Sequence, residues 1–313
     1  MKKKLFKPRV LRKMVIAGTG TPRLRRNLLG KAGSDAPPEV YRLSTSAGLD
    51  QAVESLESLL QEKYASLISG KKVLLKYNLN TADPYPASVC PEMLRTVSNL
   101  LLRLGAREVI AGDCSGIPAL PTKRQLKKAG LHKVLADPAR LICFDNGPWV
   151  SVPVEGSYLA QVTVPRAALE AECIVALANL KTHSLALFTG ALKLAVGFMH
   201  PLERYPLHRE HLQEKVAEIG MAVQPDLVIM DARTVFITGG PAEGLAAAGE
   251  TILVGDNALA VDAAAYGLLY RLKKERGCLE DFKEDPFTAA QLGHARDTGI
   301  WGRPWRGFQV IDR

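Results

Sequence analysis

"KKVLLKYNLNTADPYPASVCPEMLRTVSNLLLRLGAREVIAGD", residues 71–113, decides the fold. Residues 71–78 form a short, nearly continuous apolar run that enters a loop, as a strand buried on both faces does. Ser88 and Pro91 open an amphipathic helix that Gly105 closes. Residues 107–113, REVIAGD, repeat the buried strand. Upstream, VYRLS (40–44) reads as another strand. Residues 50–67 then set Val53, Leu56, Leu59, Leu60 and Tyr64 on one helical face, with Asp50 as a candidate N-cap and Gly70 as the stop. The order is β-α-β-α-β, which implies a parallel sheet covered on both faces.

Downstream, ARLICFD (139–145), WVSVPV (149–154), AQVTVP (160–165), ECIVALAN (172–179), DLVIMDA (226–232) and ETILVGD (250–256) read as strands. FQVID (308–312) reads as an edge strand. Helices are expected from about His208 to Val223 and over 258–275. The fold class is α/β, a mostly parallel sheet with helices on both faces and two lobes around a cleft. The lobe boundary is expected near 150–170, within a domain spanning 38–313.

With 47% hydrophobic and 23% charged residues, the chain reads as a soluble globular protein able to bury a full core. No apolar run approaches ~18 residues, so no transmembrane segment is expected. The cysteines (Cys90, Cys114, Cys143, Cys173 and Cys278) form no C-x-x-C. That pattern argues against a structural zinc site or a four-cysteine iron–sulfur cluster in this chain, and suits reduced thiols in the cytoplasm. The net charge of +9 is local: residues 1–34 carry eleven Lys/Arg and no acid, leaving 30 bases against 32 acids elsewhere. Residues 1–37 therefore read as a flexible basic arm, with residues 1–34 dispensable for folding. Such an arm suits contact with nucleic acid, an anionic membrane or an acidic partner. The apolar piece MVIAG (14–18) is too short for a signal peptide, and Met14 is an alternative start.

In open α/β sheets, ligands bind outside the carboxyl ends of the strands. Lys76 and Asn78, Asp113, Lys181 and His183, Asp231 and Asp256 all follow predicted strands, and Gly240 lies in the turn TGGPAEG. Singly, Asp113 and Asp256 read as helix caps and the glycines as turns. Together they point to one cleft. The stretch 176–211, ALANLKTHSLALFTGALKLAVGFMHPLERYPLHREH, adds four of the six histidines. Lys193 sits there among Thr189, Gly190, Ala191, Ala195 and Gly197. An amine in so apolar a setting has a depressed pKa unless an anion pairs with it. It reads as an anion-holding lysine, a nucleophile, or a stem-buried lysine with its head in water. His208 and His211, one helical turn apart, are a candidate metal pair, and neutral imidazole also suits proton transfer.

The motifs GKKVLLKYNLN, ANLKTH…TGALKLAVGF…LH, PDLVIMDA…GGPAEG and GDNALAVDAAA, in that order, resemble the domain of unknown function 362 (DUF362) family of iron–sulfur-centre-annotated proteins, over about residues 38 to 270. Lys76-Tyr77-Asn78 stands where that family has Lys-Pro-Asn, and Lys193-Leu194 where it has Lys-Asn. The resemblance implies an α/β fold and, by analogy with relatives carrying a cluster module, a ferredoxin-like redox partner. This chain lacks the module's cysteines. A fainter similarity runs to the nickel-pincer lactate racemases, whose His, Lys and His follow at spacings like His183, Lys193 and His208. In those enzymes the lysine anchors the pincer nucleotide, the later histidine binds nickel and the earlier one moves the substrate proton. They also carry an upstream catalytic histidine, for which this chain offers His132 in an unmatched context, so racemase activity is not expected.

These readings converge on an enzyme that binds an anionic small molecule or cofactor through Lys76, Asn78, Asp113, Lys181 and Gly240. His183, Lys193 and His208 would be catalytic, in acid–base or metal-assisted chemistry. The alternative is a non-catalytic module that docks through its basic arm. The sequence identifies no cofactor.

Overall fold

The computed structural model describes residues 14–24, 36–302 and 307–313. Along the chain come β1 (Ile16–Thr19), β2 (Glu39–Ser44), α1 (Leu49–Ile68), β3 (Lys72–Lys76), α2 (Pro91–Arg103), β4 (Glu108–Asp113), α3 (Thr122–Lys128), β5 (Ala139–Cys143), β6 (Trp149–Pro153) and β7 (Gln161–Pro165). There follow α4 (Arg166–Leu169), β8 (Cys173–His183), β9 (Leu187–Thr189), α5 (Ala191–Leu194), α6 (Arg204–Leu207), α7 (Leu212–Ile219), β10 (Leu227–Phe236), β11 (Ala246–Gly255), α8 (Ala258–Glu275), α9 (Ala290–Thr298) and β12 (Gln309–Asp312).

Strand alternation builds two cores. On β8, Cys173, Val175 and Leu177 face the layer that holds α1 and α2, where Leu56, Leu60, Met93 and Val97 are buried. Ile174, Ala176 and Ala178 face the opposite layer, with Leu259, Val261 and Leu269 of α8 and Leu292 of α9. Helices therefore cover both faces, as the apolar runs predict. Pro91 occupies the first turn of α2, and Gly105 (φ 87°) follows its end. The start of α1 differs: Gly48, not Asp50, is its N-cap.

The main sheet has nine strands in the order β12-β2-β11-β10-β8-β3-β4-β5, with β9 paired to β8. β10, β8, β3, β4 and β5 run parallel. β12 closes the edge, parallel to β2. β11 is antiparallel to both its neighbours. Asp256 therefore leaves the sheet at the edge opposite the parallel strand ends, contrary to expectation. Asn257, not Asp256, caps α8, accepting from Leu259 N (3.1 Å) and Ala260 N (3.2 Å).

β6 and β7, in the region expected to hold a lobe boundary, are an antiparallel hairpin in a second, three-stranded sheet. Its third strand is β1, parallel to β6. Ordered structure thus begins well before Val40. Met14 is buried, and Arg23 is buried with its guanidinium on Asp226 and on Gln224 O (2.8 Å). These contacts differ from the flexible arm expected for residues 1–37; residues 1–13 and 25–35 lie outside the described residues. No helix among the described residues is long and apolar enough to cross a membrane.

Candidate functional site

The chain adds β4 and β5 on one side of β3, then returns to place β8 and β10 on the other. The loops leaving β3 and β8 therefore diverge, and a crevice opens at their carboxyl ends, as at the switch point of open α/β sheets. A cleft of about 430 Å³ lies there, lined by Lys76, Asn78, Asp113, Lys181, His183, Lys193 and His208 among others. Seven of the predicted site residues thus share one cleft. Gly240 is not in its lining. It packs against the backbone of Thr182, where a Cβ would collide with the carbonyl oxygen, and its φ is 78°. Its neighbours Pro241 and Ala242 reach the cleft instead.

Lys76 and Asp113 leave adjacent parallel strands and form a buried ion pair of 2.7 Å. Lys76 Nζ also donates to Tyr77 O (2.6 Å) and lies 5.6 Å from the Phe198 ring centroid. Burial lowers its pKa, and the Asp113 carboxylate opposes that shift. Asp113 further accepts from Leu79 N (2.5 Å) and Cys114 N (2.7 Å), which ties the two strand-end loops together. Gly197 leaves room for this pair: a Cβ there would meet both Lys76 Nζ and Asp113 Oδ1, and the pair would have to shift.

Lys181, at the end of β8, donates to Ala87 O, and Asn78 Nδ2 donates to the same carbonyl at 2.9 Å. Burial and the Lys193 charge bring Lys181 down to about 7, with Asp83 opposing. Lys193 stands in α5, a single turn whose first amides, Ala191 N (2.6 Å) and Leu192 N (2.9 Å), donate to the buried Asp262. That carboxylate explains Gly190, where a Cβ would strike it. The Lys193 amine has no hydrogen bond or ion pair among the described residues. Burial first, then the Arg204 charge, lowers it to about 8.

Arg204 is the functional candidate that sequence reasoning missed. Its buried guanidinium donates to Cys114 O (2.7 Å), Met199 O (2.9 Å) and Gly197 O (3.1 Å). Those partners are all neutral carbonyls. Beside Glu203 in sequence, Arg204 looks like an ordinary surface charge; only the fold turns it inward. Asn179 and Thr189 also line the cleft, and the Asn179 amide and the Thr189 hydroxyl are buried without a hydrogen-bond partner among the described residues.

The two cleft histidines are held in opposite tautomers. His183 Nδ1 receives Leu185 N and Ala186 N, both at 3.1 Å, so it is the acceptor and the ring proton sits on Nε2. Burial, with Lys193 and Lys181 nearby, depresses its pKa to about 3. His208 Nδ1 lies 2.6 Å from Arg204 O, so Nδ1 must donate and Nε2 keeps its lone pair. Burial also lowers the His208 pKa. The expected pairing of His208 with His211 on one helix face does not form. His208 ends α6, and His211 has a left-handed backbone (φ 51°) at the N-cap of α7. The His211 ring stacks instead on Tyr158, 4.5 Å between centroids. Among the described residues, no three His, Cys, Asp or Glu side chains group as a metal site.

The family described as a domain of unknown function, DUF362, matches residues 73–267, and the chain belongs to it. No curated protein matches significantly. Among solved structures, a Thermotoga maritima protein determined as a structural-genomics target aligns at 16% identity with a TM-score of 0.41. That alignment covers 71% of this chain and 59% of the other. The lactate racemase apoprotein from Thermoanaerobacterium thermosaccharolyticum aligns at 15% identity and a TM-score of 0.39, over 71% of this chain and 51% of the racemase. The chain thus spans little more than half the length of either.

Proposed function

We propose that the cleft binds an anionic small molecule or cofactor and performs acid–base chemistry on it. One observation carries this reading. Lys181, Lys193 and Arg204 bring three cationic groups to one cleft, and none is in ion-pair contact with a carboxylate among the described residues. Charge held in an apolar setting without a counter-ion is costly, and a bound anion offsets that cost. The unpartnered Asn179 amide and Thr189 hydroxyl support the same reading, because buried polar groups normally have partners.

The histidines then divide the work. His208, with its free Nε2 lone pair, accepts a proton from the bound molecule. His183 stays neutral near pH 7 and donates Nε2–H to an oxygen where negative charge develops. The residue type of His183 suggests a proton carrier; its two backbone donors favour a fixed hydrogen-bond donor instead. Lys76, already satisfied by Asp113, acts on the site through its position.

The test is Lys193→Met, which keeps most of the apolar stem and removes the charge. Thermal unfolding is followed with and without sulfate or phosphate. Loss of a charge-assisted contact should cut anion affinity by roughly ten- to a hundredfold, ~1.5–3 kcal/mol, with apo stability kept or raised. An apo stability loss of ~3 kcal/mol or more would instead identify Lys193 as half of a structural ion pair.

A further inference from the structure

The cleft changes character from its inner end to its mouth. Asn179, Lys181, His183 and Thr189 are all buried, and they hold the charge and the unpartnered polar atoms. At the mouth, two lining residues are large, apolar and exposed: Leu185 at 60% and Tyr205 at 65%. Pro118 and Ala242 continue that rim. Both residues sit on backbone that the site itself anchors. The Leu185 amide is fixed on His183 Nδ1, and Tyr205 lies in α6, beside the anchored Arg204. The Arg209 guanidinium sits 4.7 Å from the Tyr205 ring centroid.

A volume of about 430 Å³ is in the range of pockets that enclose drug-sized ligands, whereas an inorganic oxyanion would leave most of it to water. Exposed apolar side chains continuous with a ligand cleft mark a surface that is covered when the cleft is occupied. Resting on the anion reading above, we infer that the ligand is an amphipathic anion. Its carboxylate, sulfonate or phosphate headgroup lies on Lys181 and Lys193, and its apolar body lies across Leu185 and Tyr205.

The probes are 8-anilinonaphthalene-1-sulfonate, titrated by fluorescence, and inorganic sulfate, measured as its competitor. The aromatic sulfonate should bind at one site, more than about tenfold tighter than sulfate. Leu185→Ala and Tyr205→Ala, both at exposed positions that leave the fold intact, should each weaken the aromatic sulfonate about three- to tenfold and leave sulfate unchanged. Lys193→Met should weaken both. If the rim variants change nothing while Lys193→Met weakens both probes, the amphipathic inference is overturned and the anion reading stands. If Lys193→Met weakens neither probe, both fall. Dye binding indifferent to all three variants means attachment elsewhere and counts against the inference.

Discussion

At the residue scale, the charges of the cleft fix how it must respond to pH. Lys181 and Lys193 have pKa values lowered to about 7 and about 8 from an ordinary 10.5. Each is therefore protonated less readily in the folded chain than in the unfolded one. Between about 7 and 10.5 the unfolded state binds more protons, so ligand-free stability should rise with pH across that window. An anion reverses the preference by stabilising the charged amines. Sulfate binding should accordingly be tightest below pH 7 and weaken as pH rises through 7 and 8. At pH 8.5 it should take up protons, and at pH 6 almost none. Calorimetry in two buffers of different ionisation heat measures that uptake directly; uptake equal at both pH values would contradict the assignment. Lysines 76, 181 and 193 were legible because charge set in apolar sequence is unusual. Arg204 and the tautomers of His183 and His208 were not, because they depend on backbone carbonyls and amides that only the fold brings near.

At the element scale, the strands and the long helices follow from apolar spacing, and the helix expected over 258–275 matches α8. Two elements differed for physical reasons. Leu207 and Leu212 are both buried, yet five residues apart they would lie ~140° apart on a continuous helix. The left-handed break at His211 lets both reach the core and costs the pair His208/His211 its common face. An Asp256 at the cleft edge requires a parallel β11, but only residues 237–245 separate it from β10, too short for a parallel crossover. The smallest element matters most to the site. α5 is one turn long and owes its start to Asp262, which burial holds at about 7 despite the Leu192 and Ala191 amides. Asp262→Ala strands those amides in the core. Urea unfolding should show a loss of ~2–4 kcal/mol, and sulfate affinity should fall because Lys193 loses its mount. Asp262→Asn keeps an acceptor for one amide and should lose less on both measures.

At the scale of the whole molecule, composition over residues 1–34 and structure over the described residues 14–24 disagree. Eleven bases without an acid, and few apolar residues, predict a dispensable arm. Composition averages over the segment and so hides Arg23, one base among eleven. Its backbone bridges to the chain after α7, with Arg23 N on Ala222 O (2.8 Å) and Gln224 N on Arg23 O (3.0 Å). Its guanidinium reaches Ala171 O (3.3 Å), Gln224 O (2.8 Å) and the Asp226 carboxylate, which also receives Ile174 N (2.7 Å). Asp226 precedes β10, and Ile174 lies near the start of β8. Arg23 thus clamps the amino end of β8, whose other end lines the cleft, to that of its neighbour β10. Arg23→Met retains much of the stem but takes the guanidinium from a buried carboxylate. Breaking a buried pair from one side costs ~3–5 kcal/mol, roughly 5–10 °C in melting temperature for a chain of this size. Deleting residues 1–34 should cost at least as much, since β1 leaves the small sheet as well. Deleting residues 1–13 alone keeps Met14 and Arg23, and comparing the three melting curves separates the clamp from the remaining basic charge. A midpoint unchanged by Arg23→Met would return Arg23 to the solvated arm that its neighbours' composition describes.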